Sequence, residues 1–295
     1  MSTDIHHDPF QINSDGIHIP RTPVDHRDDE YNPAGFDILR DMQQRHFWYR
    51  GRHRFLLRAL QDQIRRMPRE GGLSGIDLGG GCGGWLRYLD DHRPDAFTEL
   101  ALADSSLKAM EMAGPIVGPR VGRYQIDLLN LGWNERWDVA FLLDVLEHIP
   151  ADLAALRQIW QSLRPGGLLL MTVPALKFFW SYNDEMASHV RRYSRDDLHR
   201  LAADAGFEVC TTRYFMFFLS PLLLLSRLKR VDCATLSQEQ IRDIGHHTHR
   251  TPPMLLNRLL QWIFALETPL GYWIPFPWGT SVLGVFRKPP VPRKS

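Results

Sequence analysis

The stretch GIDLGGGCGGW, from Gly75 to Trp85, constrains this chain more than any other. A short apolar run that passes through glycines into a helix-like segment reads as the first strand, turn and helix of a nucleotide-binding α/β sheet. Two spacings overlap in it. Gly79, Gly81 and Gly84 satisfy G-x-G-x-x-G, the fingerprint of a dinucleotide-binding turn. Asp77, Gly79, Gly81 and Gly83 form instead an acid followed by glycines at every second position. The glycines alone do not decide which ligand the loop cradles.

The remaining chain supports a doubly wound sheet. Short apolar runs alternate with helix-like segments from residue 36 onward, the signature of parallel strands joined by crossover helices. The spacing predicts seven strands: GIDL, ELALAD ending at Asp104, RYQIDL (Arg123 to Leu128), WDVAFLLD ending at Asp144, LLLMTVPA, FEVCTTRYF and GTSVLGVFRK. Ser194 stands at the cap position of a helix with acids in its first turn, and Gly206 ends that helix. The expected organisation is a flexible polar tail over 1–35 and a helical lid over 36–70 interrupted at Gly51. The α/β domain follows over 71–213, then an apolar helical insert over 214–278 forming an acceptor-side lid. The last strand and a C-terminal tail occupy 279–295.

The surroundings of the glycine loop separate the two ligands. Asp77 precedes the loop and faces the ligand, where it would repel an anionic pyrophosphate. S-adenosylmethionine has no phosphate and carries a sulfonium and an ammonium, which a carboxylate stabilises. Asp104, about 20 residues beyond the loop, suits ribose hydroxyls in either reading. Asp127 suits the exocyclic amine of adenine, which needs an acceptor. Asp144 reaches the same rim. Several acids around one pocket suit a cationic ligand.

DLGGGCGG, ALADSS, WDVAFLLDVLEHIP and LRPGGLLLMTVPA, in that order, resemble successive motifs of the class I S-adenosylmethionine-dependent methyltransferases over roughly residues 73 to 213. The chain is similar to a bacterial subgroup that also has HFWYRGR before the sheet (His46 to Arg52) and WSxxDExxxHxRRYS after the fifth strand (Trp180 to Ser194). The resemblance implies a Rossmann-like seven-stranded fold, S-adenosylmethionine as methyl donor, S-adenosylhomocysteine as product, and no metal. It implies a donor site built from Asp77, Gly79, Gly81, Gly83, Asp104, Ser105, Asp127, Leu128 and Asp144. Trp48 and Tyr49 would close over the ligand, and Arg50 or Arg52 would pair with its carboxylate; the bland alternative makes this segment a core anchor with solvated arginines.

Methyl transfer from a sulfonium is an in-line displacement, so alignment in a dry site matters most, and a base helps if the nucleophile is a hydroxyl. His148 is the first candidate for a polar group at the acceptor; alternatively it positions the next helix. His189, Tyr193 and Asp184 are further candidates for the base. Arg191 and Arg192 offer planar forks for an anionic acceptor, with Trp180 beside them, or else form ion pairs with Asp184, Glu185 or Asp196. His246, His247 and His249 read as a polar loop, and His6 and His7 as solvated tail residues.

With a formal net charge of +1, no bulk electrostatic argument points to nucleic acid. Three scattered cysteines suit a reducing cytoplasm. No apolar span reaches the ~20 residues a membrane crossing needs. The expectation is therefore a cytoplasmic methyltransferase, with peripheral membrane contact through the insert. It acts most naturally on oxygen of a small or lipid-like acceptor. The rival readings are an NAD-dependent oxidoreductase and a non-catalytic membrane-docked module.

Overall fold

A computed structural model describes residues 9–24, 33–67, 71–226 and 251–291. Its strands are β1 (Phe10–Ile12), β2 (Ile17–Pro20), β3 (Ser74–Leu78), β4 (Glu99–Asp104), β5 (Val121–Gln125), β6 (Trp137–Leu143), β7 (Leu163–Pro174), β8 (Glu208–Phe215) and β9 (Ser281–Arg287). They form one sheet in the order β1-β2-β5-β4-β3-β6-β7-β9-β8. The strands from β2 to β7 in that order pair in parallel, whereas β9 runs antiparallel to both β7 and β8. Winding reverses between β3 and β6. The crevice at the carboxyl ends of these two strands is where such sheets bind ligands.

The helices are α1 (Pro33–Arg45), α2 (Phe47–Ile64), α3 (Gly84–His92), α4 (Leu107–Val117), α5 (Asp152–Ser162), α6 (Tyr182–Met186), α7 (Arg195–Asp204), α8 (Ser220–Ser226) and α9 (Met254–Trp273). Buried strand residues alternate between two apolar layers, as a period of two requires. Val139, Phe141 and Leu143 of β6 join a layer with residues of α2, α3, α4 and α9. Ala140 and Leu142 join the opposite layer with residues of α5 and α7. Helix α7 starts as its sequence indicates: Ser194 accepts from the Asp197 N–H at 3.1 Å, and Asp197 accepts from the Ser194 N–H at 2.9 Å.

Three expectations change. The segment expected as a flexible tail contains β1 and β2; β2 pairs with β5, and Ile17 is fully buried. Burial of Ile17 against the sheet edge orders a stretch whose composition alone suggests mobility. The helical break falls at His46, between α1 and α2, and not at Gly51, which lies inside α2. Gly51 is there for contact: a Cβ would overlap the Phe264 ring of α9. The expected third strand stops at Gln125, and Asp127 lies beyond it in a turn.

The insert helix α9 clasps this break. Asn257 accepts from the Phe47 N–H at 2.8 Å and donates to the Arg45 carbonyl at 2.8 Å; Gln261 donates to the same carbonyl at 3.0 Å. These bonds satisfy backbone groups that the end of α1 and the start of α2 would otherwise leave orphaned. The opposite face of α9 is apolar and exposed, with Leu255, Leu259, Trp262, Leu266 and Trp273 on one helical stripe. No described helix is long and apolar enough to cross a membrane.

Candidate active site

A cavity of about 390 Å³ opens at the carboxyl ends of β3, β4 and β6. Asp77, Gly79 and Gly81 form its floor with Gly80. The loop backbone has positive φ at Gly79 (72°), Gly81 (57°) and Gly83 (80°), the left-handed region that favours glycine. Gly83 does not line the cavity; it caps the N-terminus of α3. At Gly80 a Cβ would overlap the Asp77 carboxylate.

Asp77 is the most telling group. It is 1% exposed, and neither carboxylate oxygen has a hydrogen-bond partner. Burial raises its pKa to about 7, with Arg52 pulling it down and Asp104 pushing it up. A buried, unpartnered carboxyl at a cavity wall fits a ligand that brings a positive charge. The fit with the ammonium or sulfonium of S-adenosylmethionine is direct; a pyrophosphate would add repulsion.

Asp104 is held by the Gly81 N–H at 3.0 Å and the Ser106 N–H at 2.9 Å, which fix its carboxylate at the rim beside Ser105. Asp127 accepts from the Leu129 N–H at 2.8 Å, and Leu128 lines the cavity next to it. Asp144 follows β6 with a φ of 58°, a strained conformation for a non-glycine residue. It accepts from Thr172 at 3.1 Å and forms an ion pair with Arg52. Arg52 is thus engaged by a protein carboxylate, although it was expected to take the ligand's; its guanidinium also lies over the Trp48 and Tyr49 rings at 4.8 and 5.0 Å. All three α2 residues line the cavity.

Sequence reasoning missed residues that arrive from elsewhere. Gln43 of α1 accepts from the Gly84 N–H at 3.0 Å and, with Leu39, closes the cavity over the loop. Val24 lines it from the N-terminal segment. Glu147 follows Asp144 by three residues in a short 3-10 turn (Leu146–His148). It is fully buried, and both its oxygens are unpartnered. Adjacency to His148 was the available signal; burial was not readable.

Of the candidates for acceptor chemistry, only His148 lines the cavity. Burial, aided by His189, lowers its pKa to about 4. His189 stands beside it with ring centroids 4.8 Å apart. Its Nδ1 lies 3.0 Å from Asp184. Burial pushes the Asp184 carboxyl up, but hydrogen bonds from His189 and Arg192 hold it down at about 2.

The other four are engaged by the protein or lie elsewhere. Arg192 is buried and grips Asp184 with both Nε (2.7 Å) and NH2 (3.0 Å). Arg191 pairs with Asp152 at 2.6 Å. Both forks are therefore occupied by protein carboxylates. Tyr193 donates to Asp152 at 3.1 Å, burial followed by Asp152 raises its pKa, and its hydroxyl is engaged away from the cavity. Trp180 is partly exposed and lies outside the cavity. No described insert residue lines the cavity either, because α9 packs on the outer side of α2. Cys82 is buried in the glycine loop and Cys210 is half-buried. Cys233 and the histidines at 6, 7, 246, 247 and 249 lie outside the described residues.

Comparison with known proteins agrees with this geometry. The family described as "Methyltransferase domain" matches residues 33–212, more than half of the chain. Two curated relatives are trans-aconitate 2-methyltransferases. The one from Deinococcus radiodurans is 33% identical over 39% of this chain and 40% of its own length. The one from Azoarcus is 29% identical over 40% of this chain and 45% of its own. The chain thus spans less than half the length of the curated relatives it matches. Among solved structures, one similar chain comes from the complex between the Haloferax volcanii Trm112 methyltransferase activator and a methyltransferase. It has a TM-score of 0.56 and 15% identity, with 90% of this chain and 99% of that chain covered. Another is Haemonchus contortus phosphoethanolamine N-methyltransferase 2 in complex with S-adenosyl-L-methionine. Its TM-score is 0.55 at 16% identity, with 93% and 62% covered. At these identities the structures speak for the fold. The match over residues 33–212 shows that the chain belongs to the methyltransferase-domain family.

Proposed function

We propose that this enzyme methylates an oxygen atom of an acceptor with an apolar body, met at a lipid surface. The observation that carries the reading is His148, a neutral imidazole on the cavity wall with His189 and Asp184 behind it. An oxygen nucleophile needs a lone pair aimed at the methyl group and, if it is a hydroxyl, a route for its proton; imidazoles serve both needs. S-adenosylmethionine supplies a methyl group on a sulfonium. In this reading Asp77 meets the donor's positive charge, Asp104 the ribose hydroxyls and Asp127 the adenine amine. Trp48 and Tyr49 exclude water, which favours displacement by the acceptor. Relatives named for trans-aconitate support an oxygen-bearing acceptor.

The apolar body is supported by α9. Trp262 and Trp273 stand 62% and 80% exposed on a leucine-rich stripe whose helix has Arg258 as its one exposed charge. Amphipathic faces of this kind seat at the boundary between headgroups and acyl chains. The sequence leaves α8 through Arg227, Lys229 and Arg230, cations that complement anionic lipids. The test combines methyl-labelled donor with aqueous and organic-solvent cell extracts, and sedimentation with anionic vesicles. Solvent-extractable O-methyl product is expected, with vesicle binding lost in the Leu259→Ser, Trp262→Ser, Trp273→Ser variant. Label on nitrogen or carbon would refute the oxygen assignment. Label confined to small aqueous acids, without vesicle binding, would refute the apolar body.

A further inference from the structure

Neither fork of the Arg191–Arg192 pair is free for an anionic acceptor, yet a polar cluster lies behind His148 that the donor site does not use. A ligand atom from each of Glu147, His148 and His189 lies within 4.8 Å of the other two. Glu147 is 0% exposed, both its oxygens lack a hydrogen-bond partner, and the His189 Nε2 lies 3.9 Å from its Oε1. We propose that Glu147, His148 and His189 bind a divalent first-row transition-metal ion at the acceptor end of the donor cavity.

The surroundings prepare all three ligands. His189 Nδ1 faces Asp184 at 3.0 Å, which places the ring proton there and leaves Nε2 bare toward Glu147. Asp184 is itself fixed by Arg192 and by the Ser181 N–H at 2.8 Å. A carboxylate–histidine pair of this kind is the usual outer support of a metal-binding imidazole. His148 lines the donor cavity, so an ion held there would face it. The two segments are tied together by the Val190 N–H, which donates to the Glu147 carbonyl at 2.8 Å. Ser188, just before His189, takes a φ of 56° to make that approach.

Two imidazoles and one carboxylate suit zinc, iron, cobalt or manganese better than calcium. Three protein ligands leave coordination positions open, and His148 directs them to the cavity. The catalytic consequence rests on the oxygen-acceptor reading above, with the ion taking the place of a bare His148 imidazole as the group that prepares the acceptor oxygen. An acceptor hydroxyl drawn to the ion gives its proton to bulk water, or an acceptor carboxylate arrives already ionised. Its oxygen lone pair then forms the C–O bond as the S–C pair returns to sulfur, leaving neutral S-adenosylhomocysteine. The ion thereby supplies the positive charge that Arg191 and Arg192 cannot.

The experiment uses the full chain, stripped with a chelator and titrated with Mn²⁺ and Co²⁺, with S-adenosylhomocysteine calorimetry in parallel. One ion per chain is expected, with electron spin-echo spectroscopy of the wild-type Mn²⁺ complex detecting two coordinated imidazole nitrogens. Glu147→Gln and His189→Gln should abolish this site while retaining S-adenosylhomocysteine binding. Asp184→Asn, a positioning change, should weaken the ion by about 10–100-fold. Absence of stoichiometric binding in wild type overturns the proposal. So does uptake that survives Glu147→Gln with His189→Gln, which would mark adventitious binding to histidines elsewhere. Should a variant lose its fold, the wild-type nitrogen count decides: any number other than two overturns the site. Loss of S-adenosylhomocysteine binding in wild type would instead sink the donor reading and leave the ion result standing.

Discussion

Asp77 ties donor binding to pH in a way that can be calculated. Its pKa is about 7 in the ligand-free protein, and only the ionised form attracts a cationic ligand. Once an ammonium sits beside the carboxylate, its pKa falls far below this value. The apparent Kd for S-adenosylhomocysteine should then rise about tenfold between pH 8 and pH 6, and about tenfold again by pH 5. At pH 6 binding should release about 0.9 proton per chain, and at pH 8 about 0.1. Calorimetry in two buffers of different ionisation enthalpy measures both quantities. Asp77→Asn should weaken binding at pH 8 and abolish the slope and the proton release. The same group acts on stability with the opposite benefit. Unfolded, it ionises at 3.8; folded, at about 7. Its stabilising contribution is therefore present below 3.8 and is lost as pH rises to 7. At ~1.36 kcal/mol per pH unit that loss is on the order of 4 kcal/mol. Asp77→Asn should accordingly raise the Tm of the ligand-free protein at pH 8. A Kd flat from pH 6 to 8 with no proton release would refute the reasoning.

Other perturbations test the architecture. Gly51→Val should push α9 off α2 and cost about 1–3 kcal/mol, read as a lowered Tm, with Phe264→Ala only partly rescuing it. Asn257→Ala should leave the Phe47 N–H and the Arg45 carbonyl short of a partner, costing about 1–3 kcal/mol in denaturant unfolding and weakening S-adenosylhomocysteine binding through α2. Tyr193→Phe should cost about 1 kcal/mol of stability with turnover near wild type; a large fall in turnover with donor binding intact would restore it as a base.

The donor half of the site was legible because its demands are local. Asp77, the alternate glycines and Asp104 lie at strand ends, and strand ends are marked by apolar runs that stop. The acceptor half was less so, because the role of a charged side chain depends on what folds against it. Arg191 and Arg192 read as anion forks until Asp152 and Asp184 take them, and Glu147 looks like any acid until the sheet buries it. Gly51 was read as a breaker because the partner that requires it, Phe264, lies more than 200 residues away. β1 and β2 are too short to announce themselves; only the β5 edge gives Ile17 somewhere to go.

The clasp between α9 and the α1–α2 junction spans 210 residues in one bond and 212 in another. A ribosome delivers residue 47 long before residue 257, at a pace of roughly 5–20 residues per second. During that interval the start of α2, which holds Trp48, Tyr49 and Arg52, has no Asn257 to complete it. The central strands can pair first, but the wall that shuts water out of the cavity is finished only when the last quarter of the chain has emerged. Nascent chains should therefore pair their central parallel strands before the α1–α2 junction is clasped.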